Sequence, residues 1–349
     1  AWGHEAAAIF GGKRVNPVYA IPGGMSKPIN KAERERLEEI ARWMVEFGKF
    51  TLKLFRDVVL ANPAYLDLIV NGPYIHRTYS MGLVDENNKV NFYDGRVRVV
   101  DPDGAEFCRY APHEYMDHVA ERVEPWTYLK FPYLKGVGWK GLVDGKDSGV
   151  YRATPQSRLN AADGMSTPLA QEAYEEYFET LTGDRSGRTP VHHTLAIHWA
   201  RVVELINAAE RSLELVQHPE ITHPENYRMV CLGTPREGVG IVEAPRGTLT
   251  HHYVTDDRGI VKKVNLIVGT TNNNAAICMS VKKAAQSLIQ RGGEVKEGIL
   301  NMIEMAFRAY DPCYGCATHS LPGQMPLIVR IRRPDGEVIR EIRRDRPTA

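Results

Sequence analysis

Nine residues near the C-terminal end, Asp311-Pro312-Cys313-Tyr314-Gly315-Cys316-Ala317-Thr318-His319, hold the densest set of soft metal donors in the sequence. Two thiols three positions apart can face one metal ion, and the imidazole three residues further on adds a third donor. Zinc matches poorly, because it takes four ligands and no second Cys-x-x-Cys or suitably spaced histidine pair occurs. A thioredoxin-like redox pair follows a strand and opens a helix, whereas this pair closes one. Metal ligation by Cys313, Cys316 and His319 is therefore the favoured reading. On these residues alone, thiol redox chemistry and a plain structural loop stay open.

The other cysteines, Cys108, Cys231 and Cys278, stand alone. An odd total of five argues against a disulfide framework and for a reducing compartment, here the cytoplasm. Each of the three reads as a small buried hydrophobe. His113 and His118 are five apart rather than the four of a helical zinc motif. His192, His193 and His198 are expected on a long helix, and with His251 and His252 they read as hydrogen-bonded structural residues. His251 and His252 also lie close enough in sequence to Arg246 to support a site there. By itself Arg246 reads as an ion-pairing arginine, and Thr270-Thr271-Asn272-Asn273 as a strand end or turn.

The elements that must position these residues are mostly helices. Lys31 to Leu60 carries Leu37, Ile40, Trp43, Met44, Phe47, Phe50 and Leu54 at helical spacing. Gln171–Thr182, Val191–Val216, Ala275–Gln290 and Lys296–Tyr310 also read as helices, the last ended by Pro312. Val90 to Val100 predicts a hairpin about an Asp94-Gly95 turn, and an aromatic loop covers Trp126 to Tyr133. Gly238 to Val268 holds strands at Tyr253-Val254 and Val261–Val268. A second hairpin spans Met325–Arg332 and Val338–Ile342 about Pro334-Asp335-Gly336-Glu337. The expected fold class is α+β, predominantly α-helical, with a few short β-hairpins.

The composition excludes several classes. With 43% hydrophobic and 25% charged residues the chain is an ordinary folded protein. A net charge of +1 gives no long-range pull toward nucleic acid or an anionic membrane. No apolar run approaches the ~18–20 residues of a membrane span. The start, Ala1-Trp2-Gly3-His4, has neither an initiator Met nor a signal peptide and reads as a chain entered partway. From Ser320 onward seven arginines face four acids, about +3, in an otherwise neutral chain.

The nine-residue segment closely resembles the C-terminal active-site signature of nickel–iron hydrogenase large subunits. The likeness extends along the chain. Gly11-Gly12-Lys13-Arg14 and Ile21-Pro22-Gly23-Gly24 are similar to the family's Gly-Gly and Pro-Gly-Gly loop. Glu243-Ala244-Pro245-Arg246-Gly247-Thr248-Leu249 resembles the segment that lays an arginine over the metals. Val268-Gly269-Thr270-Thr271-Asn272-Asn273 resembles the strand end that cups the iron's diatomic ligands. The resemblance implies the large-subunit fold and a nickel–iron centre carrying cyanide and carbon monoxide. By the same carry-over Cys313 would be a terminal nickel thiolate and proton acceptor, and Cys316 would bridge nickel to iron. His319 would hold a magnesium, Arg246 would overhang the open face, and Pro245, Thr270 and Thr271 would line the diatomic ligands.

The resemblance further implies reversible oxidation of dihydrogen. Because no cysteine set for iron–sulfur clusters occurs here, it also implies a small subunit that carries them. Cys-Ala-Thr-His, Asp94 to Asp101 and Trp126 to Tyr133 resemble the cytoplasmic cofactor-coupled class. Within it the methyl-viologen-reducing type working with heterodisulfide reductase comes first, the NAD(P)-linked type second and the deazaflavin-reducing type third. Nickel chaperones and a maturation endopeptidase are implied partners.

Two departures stand out. The family's first cysteine pair and its upstream glutamate have no counterpart, which fits N-terminal truncation; the rival is a metal-free scaffold related to the quinone-module subunit of respiratory complex I. The mature family ends at the signature histidine, whereas this chain continues from Ser320 to Ala349. Residues 1–319 are accordingly expected as the catalytic domain and 320–349 as a maturation extension, cleaved after His319.

Overall fold

Helix α1 (Trp2–Gly11) leads through a minimal hairpin, β1 (Ala20–Ile21) and β2 (Gly24–Met25), into the 25-residue helix α2 (Lys31–Phe55). The start of α2 is a capping box. The Asn30 side chain accepts the Glu33 N–H at 2.9 Å, and the Glu33 carboxylate accepts the Asn30 N–H at 3.1 Å. A π-helical turn (Arg56–Leu60) follows, then α3 (Pro63–Val70) with Pro63 at its first position. This computed structural model describes residues 2–225, 227–229, 233–290, 295–313 and 327–344. It divides into two units, Ala1–Tyr310 and Asp311–Ala349.

In the first unit β3 (Tyr79–Val84), β4 (Arg96–Val100), β5 (Glu106–Tyr110) and β8 (Tyr151–Arg152) form one sheet in the order β5-β4-β3-β8. The short helix α4 (Tyr115–His118) and a two-stranded hairpin, β6 (Val119–Val123) with β7 (Lys130–Leu134), lie between β5 and β8 in the chain. Part of the expected aromatic loop is thus strand. The expected hairpin across Asp94-Gly95 is not formed. β4 pairs instead with β3, Ser80 opposite Val100 through Val84 opposite Arg96. A Cβ on Gly95 would sit 2.3 Å from the Val84 carbonyl oxygen, so this glycine serves a close approach to β3.

All six residues of β3 are buried, because α5 (Pro155–Ala161) crosses it. A Cβ on Gly82 would fall 2.8 Å from the Arg158 Cα. The glycine sets the helix-to-sheet distance.

Helices α6 (Pro168–Thr182) and α7 (Ile197–Gln217) pack with α2 as a helical layer. Trp199 of α7 is fully buried against Phe55 and Tyr177, with ring centroids 5.6 Å and 5.2 Å away. The expected helix from Val191 begins later: a 3-10 turn covers Thr194–Ala196, so His192 and His193 precede the helix and only His198 lies on it.

A three-stranded antiparallel sheet, β9 (Glu237–Ala244), β10 (Gly247–Thr255) and β11 (Val261–Ile267), follows. The single turn α8 (Gly269–Asn272) then leads into α9 (Asn274–Leu288) and α10 (Glu297–Arg308). Among the described residues the second unit contains one hairpin, β12 (Leu327–Arg332) with β13 (Val338–Arg344), about the expected Pro334-Asp335-Gly336-Glu337 turn. At 43% helix and 22% strand the protein is mixed with helices leading, in keeping with the expected class. No helix among the described residues is long and apolar enough to cross a membrane.

Candidate metal centre

The arginine segment occupies the tightest turn of the β9–β10 hairpin. Ala244 pairs with Gly247, leaving Pro245 and Arg246 as a two-residue connection. Gly247, immediately after Arg246, takes a positive φ of +155°. A Cβ there would lie 2.5 Å from the Ala153 carbonyl oxygen and 2.6 Å from that of Gly269. The turn is therefore pressed between the start of α5 and the start of α8.

Asn273 fixes this contact. Its Nδ2 donates to the Arg246 carbonyl at 3.0 Å and to the Gly269 carbonyl at 3.2 Å, and its Oδ1 accepts the Ala153 N–H at 2.8 Å. Asn272 does the same one residue earlier. Its Nδ2 donates to the Thr248 and Val268 carbonyls, and its Oδ1 accepts the Tyr151 hydroxyl at 2.5 Å. Both asparagines are buried. The expected strand-end motif thus holds two residues that join three separate segments, and Pro245, Arg246, Thr270 and Thr271 come together around them. Thr270 is buried, Arg246 and Thr271 half-buried, and Pro245 exposed.

Beneath the turn lies a charged group that sequence reasoning missed. The Arg158 side chain is 1% exposed, and its Nε and Nη2 donate to both oxygens of Glu204 at 2.5 Å and 2.6 Å. Its Nη1 donates to Glu243 and to the Ala244 carbonyl, each at 3.0 Å. The other Glu243 oxygen accepts the Leu83 N–H at 2.8 Å and the Thr248 hydroxyl at 3.0 Å. Burial pushes the Glu243 carboxyl above its usual range, opposed by Arg158 and the Leu83 N–H. Burial also works against the Arg158 charge, yet the two carboxylates prevail and hold it firmly protonated. One guanidinium thus clamps the last residues of β9 before Pro245. No local pattern could have found it, since its partners lie 46 and 85 residues away.

Of the signature, Cys313 is described, with an exposed side chain in the second unit. Cys316, His319 and the expected boundary after His319 lie outside the described residues, as does Cys231. Cys108 and Cys278 are half-buried and pack on hydrophobic clusters; burial raises both thiols, Cys108 to about 11, as suits packing residues. Among the described residues no three histidine, cysteine, aspartate or glutamate side chains converge as a metal would need. His252 bridges the Tyr115 hydroxyl at 2.9 Å and Glu237 at 2.8 Å, the structural role expected of it.

A buried group that the sequence reading did not anticipate lies at the end of α10. His76 Nε2 lies 2.6 Å from the Ser280 hydroxyl, which lies 2.8 Å from the Tyr310 hydroxyl. Burial and the nearby Arg152 charge hold His76 well below the usual imidazole range.

Donor chemistry decides whether these residues suit a nickel–iron centre. Two thiolates spaced as in Cys313 and Cys316 suit soft metals such as nickel and iron. By donor type they fit a nickel–iron centre.

Residues 155–319 match the family model described as nickel-dependent hydrogenase. Over 335 residues the chain is 48% identical to an iron–sulfur subunit of the F420-non-reducing hydrogenase of Archaeoglobus profundus, covering 96% of this chain and 68% of that protein. It is 37% identical to the beta subunit of the NAD-reducing hydrogenase HoxS of Cupriavidus necator, covering 97% and 68%. The fold matches a crystal structure of an NAD+-reducing nickel–iron hydrogenase in the H2-reduced state, with a TM-score of 0.79, 33% identity, and 91% and 66% coverage. The chain thus spans about two thirds of the length of these relatives. It belongs to the nickel-dependent hydrogenase family, oxidoreductases acting on dihydrogen, as a large-subunit chain related to the F420-non-reducing and NAD-reducing types.

Proposed function

We propose that this chain supplies the C-terminal half of a nickel–iron site that cleaves dihydrogen heterolytically and reversibly to two protons and two electrons. What supports the reading is the Asn273 bridge, which draws the Arg246 turn and the Gly269-Thr270-Thr271 turn onto one spot. When bound, the nickel–iron centre with its cyanide and carbonyl ligands supplies a soft, electron-rich site for dihydrogen.

The chain's own residues do the rest. Cys313 would hold the nickel as a thiolate, and its Sγ would accept the proton released from dihydrogen. Cys316 would be a second thiolate ligand of the metals, and His319 would hold a magnesium. Arg246 would offer the bound centre a fixed positive charge and several N–H donors able to pair with a cyanide nitrogen and polarise substrate. Pro245 would shape the pocket for the diatomic ligands, and the Thr270 and Thr271 hydroxyls could donate into it.

The five cysteines include no set for iron–sulfur clusters, so electrons leave through a small subunit that carries them. The F420-non-reducing and NAD-reducing names of the relatives favour an acceptor module of the heterodisulfide-reductase or NAD(P) kind over a deazaflavin one. The test is metal analysis of the complete, host-matured protein. Roughly one nickel and one iron per large subunit is expected. Zinc at the signature refutes the metal assignment, and absence of all three selects the metal-free scaffold. Assays of hydrogen-dependent reduction of methyl viologen, NAD+ and F420 then rank the acceptors.

A further inference from the structure

The Pro245-Arg246 turn is gripped at two places, and Asn273 accounts for one of them. Asn273 holds the carbonyl of Arg246 itself. The two residues before Pro245 are held by a single nitrogen: Arg158 Nη1 donates to the Glu243 carboxylate and to the Ala244 carbonyl, each at 3.0 Å. One contact restrains a side chain and the other the main chain, so together they fix both the height of the strand end and its rotation.

The guanidinium is itself fixed. Its Nε and Nη2 fork onto both oxygens of Glu204 at 2.5 and 2.6 Å, a pairing that a planar guanidinium makes while its third nitrogen points elsewhere. Glu204 stands within α7, where Val203 and Ile206 beside it are buried. The Arg158 backbone is set by the close approach of Gly82, and the second Glu243 oxygen accepts the Leu83 N–H of the same strand, β3. Helices α5 and α7, strand β3 and the β9–β10 hairpin thus meet on one charged group. Its Arg158, Glu204 and Glu243 side chains are 1%, 9% and 0% exposed. As a source of stability such a group is poor, since apolar side chains of similar volume do as well or better. What it supplies is direction, because charge-assisted bonds in a dry interior tolerate little displacement.

We infer that Arg158, steadied by Glu204, is a positioning residue for Arg246. The fork between them sets where the Pro245-Arg246 turn stands, and so where the Arg246 guanidinium is presented. Glu204 has no contact with the turn of its own and acts through Arg158; Arg158 acts through Glu243 and Ala244. The inference rests on the reading of Arg246 as a residue of the nickel–iron site, and adds to it one residue of α5 and one of α7.

Arg158→Lys and the milder Glu204→Gln, alone and together in the complete, host-matured enzyme, test it. Lysine keeps the charge but cannot fork onto Glu204 and reach Ala244 at once. Amide hydrogen exchange followed by mass spectrometry should quicken about 10-fold in peptides spanning residues 243–248 and stay at the parent rate in α6. At unchanged nickel and iron content, kcat for hydrogen oxidation should fall about 10–10²-fold with KM within about twofold, and the infrared cyanide bands should shift. The double variant should lose no more than Arg158→Lys alone, because Glu204 reaches the turn through Arg158. Exchange that quickens equally in α6 makes the group a general stabiliser and overturns the inference. So does a quickened turn with parent kcat and parent infrared bands. Losses that multiply in the double variant overturn the part given to Glu204. All these failures leave a parent enzyme that holds nickel and iron; failure of the hydrogenase reading is a parent that holds neither.

Discussion

Arg158 and Glu243 form an ion pair 3.0 Å long in which the two side chains are 1% and 0% exposed, three residues from the turn that bears Arg246. With Glu204 on the same guanidinium, the group holds one positive and two negative partners away from solvent. Its worth lies in position, since buried pairs seldom raise net stability above an apolar replacement.

Removing the cation alone is another matter. Arg158→Met leaves Glu204 and Glu243 facing each other unpaired in the interior, a loss of about 3–5 kcal/mol for a broken buried pair. Urea denaturation should show it as a lower midpoint. Adding Glu243→Gln to Arg158→Met should recover part of the loss. A double variant as unstable as the two separate losses combined would show that the two residues act independently.

Asn273→Ala strips the bridge from three backbone groups at Ala153, Arg246 and Gly269. Each buried partner left unsatisfied costs roughly 1–3 kcal/mol. The effect on hydrogen uptake by the assembled enzyme should exceed the effect on metal content, because the residue positions the Arg246 turn. Equal losses of nickel and activity would place Asn273 in metal assembly instead.

Arg246→Lys keeps one positive charge but loses the planar array of donors. With a donor aimed at the reacting face worth about 10²–10³-fold in rate, hydrogen oxidation should fall by at least about 10²-fold at unchanged nickel and iron content. Activity within a factor of about two of the parent would remove Arg246 from the open face.

How much of this the sequence discloses depends on how local the cause is. Helix α2 and the β12–β13 hairpin were legible because spacing within one segment determines them: apolar residues every three or four positions, or a Pro334-Asp335-Gly336 turn between alternating runs. The Val90–Val100 hairpin was misread because the partner of β4 is a strand buried on both faces. Tyr79–Val84 shows no alternation, and only a sandwiched strand behaves so. Arg158 carries no local signal at all. Asn272 and Asn273 stood inside a recognised motif, yet their joining role depends on Ala153, Tyr151 and Thr248, which the fold brings from elsewhere.

Acid should weaken the first unit through its buried imidazoles. Burial, then the Arg152 charge, depresses His192 to about 4 and holds His76 well below the usual imidazole range, and His193 shifts the same way. Their folded values lie below the unfolded value near 6.5, so the unfolded chain binds more protons as pH falls below that point. The stability they contribute is complete above about pH 6.5 and is lost as pH falls through the folded values. Each proton taken up costs about 1.4 kcal/mol per pH unit within that window. Denaturation at pH 7, 6 and 5 should show the decline, and His192→Asn should flatten it.

Residues 320–349, expected to be a maturation extension, supply the last prediction. Their hairpin is held by six paired positions and by exposed ion pairs, Arg330 with Glu341 at 2.6 Å and Arg333 with Glu337 at 2.5 Å. Ile328, Val338 and Ile339 of the same hairpin are 43%, 42% and 52% exposed, so the strands bury little apolar surface of their own. An isolated two-stranded hairpin is marginal in water, and exposed ion pairs add little. Removal of residues 320–349 should therefore cost the Ala1–Tyr310 unit almost nothing. Mass spectrometry of large subunit matured in a competent host should find the chain ending at His319, with the urea midpoint of the first unit unchanged from that of the precursor. A retained tail would exclude processing at His319, and a lowered midpoint would make the hairpin part of the fold.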